Sequence, residues 1–230
     1  MDNRPVGISA PSPVDERSGL SESAWIVRKA AFRAIFETGQ PWAAAHAGTG
    51  LPLDHASVRA AVDHLVNVGR VPTDADGRVT AAAGLSTDPT AHRIETAAGS
   101  RWTNCAYEAL GILGALGVDG RVDTRSPSSG VPIHVRFQGG QPIGSDAVLF
   151  LADQSCCSRP NEDWCPNVNL FEDASSASTW AGEHGVAGRV VSLEEGTDLG
   201  AAEWRLLVDG LERRGRTHTR SSRDETEGAE

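Results

Sequence analysis

The segment Trp102-Thr-Asn-Cys-Ala-Tyr-Glu-Ala-Leu-Gly-Ile-Leu-Gly-Ala-Leu116 is apolar almost throughout and reads as a buried helix, so the rest of the chain must supply a core around it. Cys105 and Glu108 stand out in it. At i and i+3 they are helical neighbours, expected on one face. A lone cysteine on such a helix is ordinary packing, because free Cys behaves as a small hydrophobe. Glu is different: a carboxylate on an apolar helix must face solvent or be paired, protonated or used. Thiol beside carboxyl joins a soft metal ligand or nucleophile to a proton donor.

A second cysteine, Cys165, lies in Asp163-Trp-Cys-Pro-Asn-Val-Asn-Leu-Phe171, which reads as a loop entering a short strand. The segment Ser175-Ser-Ala-Ser-Thr-Trp-Ala-Gly-Glu-His-Gly185 follows. Taken together, the Cys-x-x-acid helix, the later Cys opening a strand that ends in Phe171, and the Thr179-Trp180 and His184-Gly185 pattern resemble the organomercurial (alkylmercury) lyases. The order of the preceding elements matches too, so the resemblance runs from about residue 24 to 212. It implies that two cysteine thiolates, Cys105 and Cys165, bind mercury while a carboxylic acid, Glu108, assists cleavage of the carbon–mercury bond. The family's acid is typically Asp, and this chain departs from it by one methylene.

The residue types suit that chemistry in their own right. Mercury is a soft cation, and thiolates are the soft ligands proteins offer. Two thiolates on one mercury push electron density towards carbon and make it a better proton acceptor. A nearby carboxyl can take a proton from an incoming thiol and return it to carbon, with burial of Glu108 keeping the acid form accessible. No organic cofactor is needed. The implied partners are an organomercurial substrate, with small thiols or a mercuric reductase accepting Hg(II).

Composition narrows the setting. The 230 residues are 39% hydrophobic and 23% charged, enough for one or two cores. The apolar runs Ala109–Val118 and Ala147–Ala152 are too short to span a bilayer, and no N-terminal run resembles a signal peptide. Four cysteines do not make a disulfide framework, and cytosolic cysteines are more often catalytic or metal-binding. The cytoplasm is the expected compartment. A net charge of −10 argues against nucleic acid as main partner.

Four regions are expected: a disordered tail over 1–22, a winged-helix-like domain over 23–99, a catalytic domain over 100–214 and a second disordered tail over 215–230. The first domain is read from helices over Ala24–Glu37, around Trp42–Ala47 and over Asp54–Val68 with Asp54 as N-cap, then a hairpin turning at Asp76-Gly77. Such a scaffold raises the possibility of a metal-responsive transcriptional regulator. Against it, the Asp54–Val68 helix sets one arginine, Arg59, against Asp54 and Asp63, and residues 24–99 balance seven basic against seven acidic side chains. A DNA reader carries a basic face.

In the second domain Arg121–Arg125, Val131–Phe137, Ala147–Leu151, Val168–Phe171 and Arg189–Ser192 read as strands of a small mixed sheet, making the class α+β. A final helix opens with the capping box Ser192-x-x-Glu195 and runs to about Glu212. Gly111, Gly114 and Gly117 indicate close helix packing, not a dinucleotide fingerprint. The seven histidines form no spaced zinc pair, and His134 belongs on a solvated strand face. Cys156-Cys157 leaves three readings open: a mercury-relaying thiol pair, a structural zinc site, disfavoured because adjacent cysteines chelate one tetrahedral ion poorly, or plain loop cysteines. Three functions stand: organomercurial lyase, a family member recruited to other thiol or soft-metal chemistry, and the regulator.

Overall fold

The computed structural model describes residues 17, 19–44, 50–153, 160–209 and 211. Cys156, Cys157, most of the first tail, all of the second and residues 45–47 of the helix expected around Trp42–Ala47 lie outside these residues, while Trp42 forms an antiparallel bridge with Val79 in place of a helical turn.

Two helices come first. α1 (Glu22–Thr38) starts where the Ser21 hydroxyl accepts the Ala24 N–H, and stops at Gly39 in the left-handed conformation. α2 (His55–Asn67) begins at Asp54, whose carboxylate accepts the Ser57 N–H, so the expected N-cap holds. Their apolar stripes meet through Phe32, Ile35, Val58, Val62 and Leu65, all buried. The expected hairpin then turns around Asp74, which accepts the N–H groups of Asp76 and Arg78 while Thr73 bridges Val79.

The strands form two antiparallel sheets. β1 (Ala81–Ala82), β2 (Leu85–Ser86), β3 (His92–Thr96), β4 (Gly99–Thr103), β5 (Gly120–Arg125), β6 (Pro132–Gln138) and β7 (Gln141–Ile143) build the larger, in the order β1-β2-β4-β3-β5-β6-β7. In the smaller, β8 (Val148–Ala152) lies between β10 (Gly188–Ser192) and β9 (Asn169–Phe171). The single mixed sheet expected from sequence is therefore corrected: every strand pair is antiparallel among the described residues. Short connections such as the two residues between β3 and β4 enforce this, since a parallel pair needs a crossover of a dozen residues or more. The boundary placed at residue 100 falls inside the β3–β4 hairpin, where Glu95 pairs with Ser100.

β6 alternates as its sequence demands, with Ile133, Val135 and Phe137 buried and Pro132, His134 and Arg136 exposed. Between the sheets runs α3 (Ala106–Leu116), packed closely on α6 (Leu193–Val208). Their glycines permit that approach: a methyl group on Gly111 would sit 2.8 Å from the Trp204 ring and 2.9 Å from the Gly200 backbone. α5 (Ala174–His184) covers the smaller sheet with Trp180, whose ring meets Phe150 and Phe171. α4 (Pro160–Asp163) leads into a 3-10 turn over Cys165–Asn167. None of the described helices is long and apolar enough to cross a membrane.

Candidate active site

The helix expected from Trp102 begins later. Trp102 and Thr103 belong to β4, and Cys105 is the extended N-cap of α3 at φ −145° and ψ 171°. Glu108 therefore meets Cys105 through a capping box and not across a helix face: its Oε2 accepts the Cys105 N–H at 2.8 Å, while the Cys105 sulfur faces the N–H of residue 108. The N-terminal turn is fixed further by the Ala106 N–H on the Val168 carbonyl at 3.2 Å and by the Thr103 hydroxyl on the Cys105 carbonyl at 3.1 Å.

Cys165 arrives from the other side. Trp164 anchors its turn by donating Nε1–H to the Ala152 carbonyl at the end of β8, at 2.8 Å. The turn closes through the Val168 N–H on the Cys165 carbonyl at 3.1 Å and the Asn169 amide on the Pro166 carbonyl at 2.9 Å. Tyr107 packs edge-on against both Trp164 and Trp204 and donates its hydroxyl to Glu203 at 2.7 Å. One aromatic column thus braces the helix that carries Cys105 and Glu108 against the turn that carries Cys165.

The result is a compact buried triad. Sγ of Cys105, Sγ of Cys165 and a carboxylate oxygen of Glu108 all lie within 4.8 Å of one another. Cys105 is 0% exposed, Cys165 2% and Glu108 4%. Cys165 donates its thiol to Glu108 Oε1 at 3.6 Å, and neither cysteine is in a disulfide. Even the borderline ion zinc holds thiolates at about 2.3 Å, so two sulfurs at this separation suit a single thiophilic metal between them.

Both thiols are held in the protonated form. Burial pushes the Cys105 thiol up and the nearby Glu108 carboxylate adds to this, while the bond to Cys165 and the N–H groups of Glu108 and Tyr107 pull it part of the way back. Cys165 is pushed up by its bond to Cys105, by burial, and by the charges of Cys105 and Glu108. Two neutral thiols beside one carboxyl avoid burying three like charges. Incoming soft metal must then displace protons, and Glu108 stands next to both sources.

Of the residues selected from sequence, the structure brings together Cys105, Glu108 and Cys165, whereas Cys156 and Cys157 lie outside the described residues. His134 is on the solvated face, hydrogen-bonded to Asp123 at 2.7 Å. Sequence reading missed the Ala83-Gly84 turn between β1 and β2, which lies against Glu108. Its trace is a glycine between the short apolar run Ala81-Ala-Ala83 and Leu85.

Residues 85–204 match the family described as alkylmercury lyase. Among solved structures the chain is similar to the mercury-bound form of MerB2, with a TM-score of 0.73 and 22% identity, over 84% of this chain and 95% of that one. No curated protein sequence matches it. That structural likeness speaks for the fold. The family match covers just over half of the chain, including all three residues of the buried triad, and on it this chain belongs to the alkylmercury lyase family.

Proposed function

We propose that this chain cleaves carbon–mercury bonds by protonolysis at Cys105, Cys165 and Glu108. One thiol attacks the organomercurial and loses its proton with the departing counter-ligand. As the second sulfur binds, its proton passes to the Glu108 carboxylate. Two thiolates now push electron density onto the metal-bound carbon, and Glu108 returns the proton there as the carbon–mercury bond breaks heterolytically. Hydrocarbon leaves, Hg(II) stays on the two thiolates, and Glu108 is a carboxylate again. Free thiols, or a mercuric reductase in the cytoplasm, then draw off the ion.

The observation that carries this reading is the buried triad, with two sulfurs and a carboxylate oxygen within 4.8 Å. No other group of three potential metal ligands occurs among the described residues. In the same reading α1, α2 and the Asp74 hairpin are a winged-helix-like scaffold that supports the catalytic part and does not read DNA. The test is to incubate the purified chain with a phenylmercury salt and excess small thiol and to measure benzene. Catalytic release is expected, and its loss in Cys105→Ser and Cys165→Ser. A wild-type chain that binds phenylmercury stably without releasing benzene would favour recruitment to other soft-metal chemistry.

A further inference from the structure

Gly84, in the β1–β2 turn, lies against the side chain of Glu108. A methyl group built on it would stand 3.0 Å from Cβ, 3.0 Å from Cγ and 3.0 Å from Cδ of Glu108. The missing side chain of Gly84 thus leaves just the room that the stem of Glu108 occupies. The turn that presents it is a two-residue hairpin with left-handed conformations at Ala83, φ 46°, and Gly84, φ 92°. For alanine that conformation is unfavourable, and it persists because the surroundings fix it. Trp204 donates Nε1–H to the Ala83 carbonyl at 2.8 Å, and the Asn104 N–H, next to Cys105, binds the Gly84 carbonyl at 3.0 Å.

We propose that the Ala83-Gly84 turn is a positioning element for the catalytic acid, and that Gly84 is its specific residue. The carboxyl's oxygens are engaged by the Cys105 N–H on one side and the Cys165 thiol on the other. Those contacts orient the head and leave the flexible stem to be fixed. Gly84 supplies that surface, so the proton is held where the metal-bound carbon arrives instead of sweeping through several rotamers. This rests on the protonolysis reading, in which Glu108 delivers the proton.

Gly84→Ala tests it, with Gly77→Ala as control: Gly77 has a similar backbone conformation, φ 73°, and open space where a methyl would go. Displacing the stem by a few tenths of an ångström is expected to lower benzene release from a phenylmercury salt about tenfold or more, given that a misplacement near 1 Å can cost about a hundredfold. Hg(II) affinity, measured by competition with a thiol chelator, should change less than about twofold, because both sulfurs keep their places. Gly77→Ala should match wild type in both. If Gly84→Ala does not fold, Trp204→Phe frees the same turn while keeping a ring, and should show the same split between turnover and Hg(II) affinity. Wild-type turnover in the folded variants would overturn the proposal, as would equal losses of turnover and Hg(II) affinity. A crystal structure of Gly84→Ala decides the point without activity: a Glu108 side chain unmoved along its stem from Cβ to Cδ refutes positioning, whereas benzene release absent from wild type refutes only the underlying reaction.

Discussion

Cys105 is the N-cap of α3 and, in the proposed reaction, a mercury ligand, and the two roles separate by mutation. Serine is among the best N-caps, so Cys105→Ser should keep or slightly raise the thermal midpoint while Hg(II) binding collapses. A melting curve beside a mercury titration checks both, and a large loss of stability would contradict the capping geometry. Because burial and mutual contact hold both thiols protonated, Hg(II) loading near pH 7 should release at least about one proton per ion. Calorimetry in buffers of different ionisation enthalpy counts it, and zero release would mean that the thiols rest as thiolates. At this scale the helix pair alone is a weak signal; Cys165 joins Cys105 and Glu108 through the resemblance to the alkylmercury lyases, and the structure brings the three together. The reason for the pairing was not readable: a helix face was expected, and a capping box is what joins Cys105 to Glu108. Cysteine is an unusual cap, so nothing marked the helix start.

That misplaced start propagated to the elements. Beginning the helix at Trp102 absorbed β4, and with it went the β3–β4 hairpin, although His92 and Ile94 inside against Arg93 and Glu95 outside is a strand alternation. β6 and α6 are legible because the strand alternation of the one and the Ser192 cap of the other are local signals. Which strands pair depends on contacts far apart in sequence, and the antiparallel order was therefore not legible. Arg101 shows such a contact. From β4 its guanidinium donates to the carbonyls of Ile35, Phe36 and Glu37, at 3.1, 2.6 and 3.0 Å, placing a cation on the C-terminal end of α1. Arg101→Met should cost about 2 kcal/mol through the loss of these charge-assisted hydrogen bonds. Gly111→Ala, forcing α3 and α6 apart, should cost about 1–3 kcal/mol. Urea denaturation reads both, and neutral values would argue against these interfaces.

For the whole molecule, His92, buried in the larger sheet with Nδ1 2.9 Å from the Thr124 hydroxyl, contributes to the loss of stability in mild acid. Burial lowers it from 6.5 to about 4, so between those values the unfolded chain binds a proton that the native chain does not. Stability from this group is full above pH 6.5 and falls as pH drops towards 4, by at most about 1.4 kcal/mol per pH unit and about 3 kcal/mol in all. Urea midpoints across that range should decline, and His92→Gln should flatten the decline; an unchanged slope in the variant would assign it elsewhere. The fold brings the N-terminus of α3 and the turn after α4 together beside the β1–β2 hairpin, so that two buried thiols and a buried carboxyl meet as one unit. The most direct test of that unit is Glu108→Gln under single-turnover conditions with a phenylmercury salt. Substrate capture by the two sulfurs is predicted to persist while benzene release falls by at least about a hundredfold, the scale of a lost general acid. Release at the wild-type rate would show that Glu108 does not deliver the proton, and would contradict the account.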